Sequence, residues 1–70
     1  MNATTNTYDA EVRRLRGHFK NCDGYTKVAE LQSGLVRLRF TYLYPTRPAV
    51  TVTMDVSMDQ IEEAENNPKP

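Results

Sequence analysis

The sequence predicts an α+β domain of order α-β-β-β-α, a three-stranded antiparallel meander with an N-terminal helix and a short C-terminal helix packed on one face. Two patterns predict it. Residues 8–19 place apolar side chains at helical spacing. Residues 35–58 alternate between apolar and polar positions, as in a β-hairpin with one buried face. The even positions of this alternation are apolar on both sides of a central loop: Val36, Leu38, Phe40, Tyr42, Tyr44, Val50, Val52, Met54, Val56 and Met58.

The first helix is predicted over residues 7–20, after a flexible tail at 1–6. Asn6 or Thr7 is the expected N-cap, and Asp9 favours the positive end of the helix dipole. Apolar residues recur at spacings of four, three and four and form the stripe expected to face the sheet: Tyr8, Val12, Leu15 and Phe19.

The first strand is predicted over residues 25–32, followed by a two-residue turn at Ser33-Gly34. This turn sets the register with the next strand and places Glu30 opposite Arg37, an opposite-charge cross-strand pair that supports the pairing. The same register assigns three residues of the first strand to the buried face: Tyr25, Ala29 and Leu31.

The second hairpin connection lies within residues 44–48. Because apolar positions must face apolar positions across the hairpin, the loop is expected to have three or five residues. Asp55 would lie opposite Arg37 with the shorter loop and opposite Arg39 with the longer one. The sequence leaves both registers open.

The second helix is predicted over residues 58–66, because Ser57 and Gln60 form a capping box at its start. The helix is acidic and carries no basic residue. A flexible tail at 67–70 completes the expected organisation, with residues 7–66 as a single domain.

Composition excludes several classes of protein. Nine Lys and Arg residues balance nine Asp and Glu residues among 70 residues, whereas dedicated nucleic-acid-binding domains are usually strongly basic. Cys22 is the single cysteine, so we expect no intramolecular disulfide, no thiolate metal site and a cytoplasmic location. No stretch is apolar enough to cross a bilayer, so no membrane partner is expected.

The sequence contains no pattern typical of catalysis. His18, the single histidine, has no cysteine or carboxylate at the spacing of a triad or a metal site. Glu62, Glu63 and Glu65 fit a solvated helix face, and the isolated glycines do not form a phosphate-binding loop. We therefore expect no catalytic residue, no metal site, no cofactor and no enzymatic activity.

The order of elements resembles the topology of the double-stranded RNA-binding domain. That family contacts phosphates through a lysine-rich start of its second helix. The corresponding residues 57–63 read Ser-Met-Asp-Gln-Ile-Glu-Glu, an acidic stretch that would repel an RNA backbone. The resemblance therefore implies the topology and does not imply RNA binding.

Three surfaces are candidates for partner binding. A basic stripe on one flank of the first helix consists of Arg13, Arg16 and Lys20, unless Asp9 and the acidic second helix neutralise it. The polar face of the sheet carries two arginines, unless Glu30 and Asp55 pair with them. The loop at 44–48 combines tyrosine and arginine, residue types enriched at binding hot spots. The predicted partner-binding residues are Arg13, Arg16, Lys20, Arg37, Arg39, Tyr44 and Arg47.

These features favour a non-enzymatic protein-binding module that docks on a larger protein as an inhibitor or adaptor. Such chains are typical of accessory proteins of phages and other mobile elements, including anti-defence proteins, which would act in the host cytoplasm. One alternative is nucleic-acid binding through the basic flank and the sheet arginines, which ranks behind a protein partner. Another is a homodimer or larger homo-oligomer joined through the edge of the third strand, residues 49–56.

Overall fold

A computed structural model describes residues 3–66, with side chains from residue 7 onward, and confirms the α-β-β-β-α fold. The three strands form one antiparallel sheet in the order β1-β2-β3. Residues 1, 2 and 67–70, which belong to the two predicted tails, lie outside the described residues. The elements are α1 (Ala3–Asn21), β1 (Gly24–Glu30), β2 (Val36–Tyr44), β3 (Arg47–Val56) and α2 (Met58–Glu65).

Helix α1 begins at Ala3, four residues before the predicted start. The predicted capping residues Asn6 and Thr7 therefore lie inside the helix, and Asp9 lies beyond its first turn. The apolar stripe begins at Tyr8 and indicates only the part of the helix that contacts the rest of the protein. Backbone hydrogen bonding can extend a helix beyond that contact, so the burial pattern did not mark its first residue.

The core lies between α1, α2 and one face of the sheet. The even-numbered residues of β2 and the last residues of β3 supply most of this core, as the alternation predicted. The same face becomes exposed toward the far end of the hairpin, where Tyr44 and Val50 are 39% and 42% accessible. The buried hydrophobic residues are Val12, Leu15, Val36, Leu38, Phe40, Met54, Val56 and Ala64.

The connection between β1 and β2 spans residues 31–35, and the hydrogen bond between Leu31 and Leu35 encloses a loop of three residues, 32–34, rather than the predicted two. Leu31 donates its amide to the Leu35 carbonyl, and the Gly34 amide donates to the Leu31 carbonyl. A two-residue hairpin turn of the favoured types needs a positive φ at its first central position. Ser33 does not adopt one, whereas Gly34 has φ +93°, so the chain forms the longer loop.

The longer loop changes the predicted pairing of β1. Glu30 lies opposite Val36 and not Arg37, and its carboxylate instead binds the Lys27 ammonium at 2.6 Å. The register also shifts between Lys27 and Ala29, which places Ala29 opposite Arg37 on the polar face. The assignment of Ala29 to the buried face was therefore wrong.

The predictions for Tyr25 and Leu31 have different outcomes. Tyr25 lies opposite Phe40 and its ring packs on the buried face against Phe40 and Phe19. Leu31 lies beyond the end of β1, in the connection to β2.

The second connection is a two-residue turn at Pro45-Thr46, so both predicted loop lengths were wrong. An irregularity between Val50 and Arg47 adds the one residue by which this turn is shorter than the predicted three-residue loop. The rest of the hairpin therefore has the register with Asp55 opposite Arg37. The pyrrolidine ring of Pro45 restricts φ to about −65°. Because no described residue other than glycine has a positive φ, the turn is not a primed type, and the irregularity accommodates its twist.

Helix α2 begins with the predicted capping box and ends at Glu65, with Asn66 as its C-cap. The Ser57 hydroxyl accepts from the Gln60 amide, and the Gln60 side chain accepts from the Ser57 amide. Gln60 is only 4% accessible, and its Nε2 donates to the Tyr8 carbonyl at 3.3 Å and to Glu11 Oε1 at 2.9 Å. One buried side chain thus caps α2 and attaches it to α1.

The conformation of Gly34 gives a direct test of the first hairpin. We expect Gly34→Ala to lower the free energy of unfolding by about 1–2 kcal/mol, because an L side chain is strained at positive φ. Gly24→Ala is the matched control: a Cβ at either position meets no atom within 4 Å, and Gly24 has no positive φ. Urea unfolding followed by circular dichroism measures both variants. Equal stabilities would contradict the assigned turn.

Candidate functional site

The β2–β3 hairpin extends past the edge of β1. The last paired residue of β1 is Gly24, opposite Thr41, and the preceding Asp23 amide donates to the Thr41 carbonyl. Beyond this point the Asp23 carboxylate takes the place of a strand and accepts from the Leu43 amide at 2.7 Å. Residues 43–50, here called the hairpin end, therefore form a two-stranded projection from a three-stranded sheet.

Apolar and aromatic side chains are exposed at the hairpin end. Leu43 is 62% accessible, Tyr44 is 39% and Val50 is 42%. The Arg47 guanidinium lies over the Tyr44 ring, 4.2 Å from its centroid, a cation–π contact worth about 0.5–1 kcal/mol at an exposed site. The sequence predicted Tyr44 and Arg47 as partner-binding residues, and the structure brings these two together.

The two arginines on the polar face of the sheet differ in their pairing. Arg37 donates to both carboxylate oxygens of Asp55, from Nε at 2.8 Å and Nη2 at 3.0 Å. These hydrogen bonds hold the pKa of Asp55 below its usual value. Arg39 lies between Thr26 and Thr53 in the ladder, and within residues 7–66 it forms no ion pair or hydrogen bond. The predicted pairing with a carboxylate of the sheet therefore forms for Arg37 and is absent for Arg39 within residues 7–66.

The basic stripe of α1 is not neutralised by ion pairs in the described part of the chain. Arg13 and Lys20 are exposed, and neither forms a salt bridge with Asp9 or with α2. Arg16 is half-buried and donates from Nη2 to the Glu63 carbonyl at 3.2 Å, so it joins the two helices.

The acidic helix packs beside α1, as predicted. Glu63 of α2 accepts a hydrogen bond from the Tyr8 hydroxyl at 3.2 Å. No ion pair joins the two helices among residues 7–66, so the predicted neutralisation of the stripe by such pairs is absent there.

His18 has a structural environment that the sequence did not reveal. Its ring stacks on Phe40 with centroids 4.8 Å apart, and its Nδ1 is hydrogen-bonded to the Tyr42 hydroxyl. Burial, and secondarily the positive charge of Arg14, lower the pKa of His18. Both effects favour the neutral form of the imidazole at the edge of the core. The sequence analysis did not reveal this packing, because local sequence does not show that Phe40 lies beneath the ring.

No metal or catalytic constellation accompanies this histidine in the described residues. Cys22 is a free, half-buried thiol packed against the core. No group of three or more His, Cys, Asp or Glu side chains within residues 7–66 is arranged to hold a metal ion. Among the helices of residues 3–66, none combines the length and the apolar character needed to span a membrane.

Comparisons with known proteins gave no relative. The chain matches no protein-family model, and neither the curated proteins nor the solved structures contain a significant match.

Several surface residues were missed by the sequence interpretation. Leu43 was not among the predicted binding residues, although it is the most exposed large hydrophobic residue described. Arg14 was also not among the predicted binding residues, and it is exposed on α1.

The environment of His18 predicts how stability depends on pH. Its folded pKa is lowered relative to about 6.5 in the unfolded chain, so the unfolded state binds more protons as the pH falls. We expect the free energy of unfolding to be highest above that unfolded value and to decrease as the pH is lowered from 7.5 to 5.5. His18→Gln removes the titrating group, and its stability should change less over the same range.

Urea unfolding at the two pH values measures this difference. The range lies above the titration of the Asp55 and Glu30 carboxyls, whose pKa values are lowered by hydrogen bonds from Arg37 and Lys27. Wild-type protein and His18→Gln with the same pH dependence would show that His18 is not the group responsible.

Proposed function

We propose that the protein is a non-enzymatic protein-binding module that docks on a larger protein as an inhibitor or adaptor. The observation that carries this proposal is the exposed hairpin end. Three of its side chains, Leu43, Tyr44 and Val50, are large, apolar and at least 39% accessible on a projection held at its base by Asp23. Binding hot spots are enriched in tyrosine and arginine, and contiguous exposed apolar side chains mark interaction sites.

The adjacent edge of β3 extends this surface. β3 is an outer strand, and its residues 49–53 carry no charge. Natural proteins usually protect edges with charges, prolines or bulges. β1 follows this rule with its register irregularity and the Lys27–Glu30 pair. In β3 the charges, the proline and the irregularity lie toward its two ends, at Arg47, Pro48 and Asp55, and leave residues 49–53 without such protection. An extended segment of a partner can therefore add to β3 beside the hairpin end.

The first test is affinity capture with a matched pair of surface variants. We expect the immobilised protein to retain a stoichiometric protein partner from nuclease-treated lysate of its source organism. Leu43→Ser should reduce retention by about tenfold or more, as at a hot spot. Met58→Ser should not, because Met58 is similarly exposed, at 58%, but lies on α2 away from the hairpin end.

Equal retention by the two variants would contradict docking through the hairpin end. Recovery of nucleic acid without a stoichiometric protein, from lysate that has not been treated with nuclease, would favour the second candidate function. That candidate is nucleic-acid binding, and one observation favours it: Arg13, Lys20 and Arg39 are exposed and form no ion pair within residues 7–66. The zero net charge of the chain weighs against it.

The accessory role in a phage or mobile element remains a prediction from the class of small neutral chains. The same is true of the cytoplasmic location. A homodimer through the edge of β3 is a further outcome of the capture experiment, in which the retained protein would be a second copy of this chain.

A further inference from the structure

The outer edge of β3 has the features of a strand that accepts another strand. β3 has β2 as its one neighbour in the sheet, so the other side of its backbone is unpaired among the described strands. Residues 49–53 read Ala-Val-Thr-Val-Thr, carry no charge, and four of the five are exposed. Valine and threonine favour extended strands. A further strand can therefore add along this stretch through ordinary sheet hydrogen bonds.

A second copy of β3 matches this edge when the two strands run antiparallel. Directly opposite residues then share a face of the joined sheet. A two-fold axis through Thr51 places Thr51 opposite itself and Ala49 opposite Thr53 on the polar face. On the other face, each Val50 lies opposite Val52 of the second copy. Val50 is 42% accessible and Val52 is half-buried, so the pairing covers apolar surface that the single chain leaves open.

The charges at the two ends of β3 favour the antiparallel arrangement. Arg47 lies at one end and Asp55 near the other. Antiparallel copies place the Arg47 end of one strand beside the Asp55 end of the other, whereas parallel copies would bring like charges together. With the axis at Thr51, the overlap consists of residues 49–53 and excludes Pro48, so no missing amide interrupts the pairing.

The opposite edge of the sheet does not offer the same opportunity. β1 has a register irregularity between Lys27 and Ala29, and the Lys27 ammonium binds the Glu30 carboxylate at 2.6 Å on this strand. An irregular strand and charged side chains both oppose the addition of a neighbour. Association through one edge of each copy therefore stops at two chains.

We propose that the chain forms a two-fold symmetric dimer in which β3 pairs antiparallel with β3 of a second copy around Thr51. The contact is isologous and joins two three-stranded sheets into one continuous sheet. The proposal goes beyond docking on a larger protein, because it needs only this chain. Leu43 and Tyr44 belong to β2 and not to the joined edge, so docking through these two side chains is compatible with the dimer.

Sedimentation equilibrium of the purified chain under reducing conditions tests dimerisation. A five-residue overlap is smaller than the ~800 Å² per partner of a stable complex, so we expect a dimer that dissociates on dilution. The weight-average mass should rise from 8.0 kDa toward twice that value between about 10 µM and about 1 mM protein. A mass that stays at one chain, or that continues to rise beyond two chains, would overturn the proposal.

A matched pair of charge variants tests which edge is joined. Thr51→Glu places two like charges opposite each other at the axis and should weaken association about twofold to fivefold. Thr26→Glu introduces the same charge at an exposed position of β1, the other outer strand, and should leave association unchanged. Circular dichroism of dilute samples checks that both variants are folded. Equal association of the two variants would overturn the assignment to β3.

Cysteine cross-linking tests the register, in a Cys22→Ser background that removes the native thiol. Directly opposite residues of antiparallel strands have Cα atoms about 4.5–5.5 Å apart, within the range of a disulfide. Thr51→Cys should therefore form a linked dimer on mild oxidation. Thr53→Cys should not, because its two copies would be offset by four residues, about 14 Å along the strands. Equal linking of the two variants, or linking of neither, would overturn pairing around Thr51.

Discussion

The whole fold depends on the burial of one face of β2 beneath α1. Phe40 is at the centre of this contact: its side chain is fully buried, and its ring centroid lies 4.8 Å from His18, 5.6 Å from Phe19 and 5.8 Å from Tyr25. One side chain thus joins α1, β1 and β2. A chain of 70 residues has few alternatives, because a small domain buries a limited share of its surface and cannot form a second core.

This constraint determines which surfaces are available for binding. The face of the sheet under α1 is occupied by the core, and α2 is attached to α1 by the buried amide of Gln60. The surfaces that remain are the hairpin end beyond β1, the outer edge of β3 and the polar face. Apolar side chains dominate the first surface, whereas the polar face carries Arg39 without an ion pair in residues 7–66, so the two suit partners of different chemistry.

The sequence predicted the fold class, the order of the strands and the capping box of α2, because these depend on periodicity and on short-range hydrogen bonds. It predicted neither turn correctly. Gly34 is the only described residue with a positive φ, so the first loop is longer than predicted. Pro45 excludes the primed turns, so the second hairpin has an irregularity beside its turn. The loss of the Glu30–Arg37 pair followed from the first of these shifts.

The candidate sites were predicted less completely, for a related reason. Tyr44 and Arg47 are close in sequence and their proximity could be expected, whereas the contacts of His18 with Phe40 and Tyr42 depend on tertiary packing. The exposure of Leu43 and Val50 also depends on where β1 ends, and strand ends are weakly encoded in local sequence.

Residue-resolved amide hydrogen exchange in dilute protein tests most directly whether the buried face of β2 is the single centre of stability and the hairpin end lies beyond it. Amides at 36–41 should exchange only through global unfolding, and amides of the hairpin end should exchange much faster through local opening. Equal protection in the two segments would contradict a free hairpin end and would show that it is packed as firmly as the core.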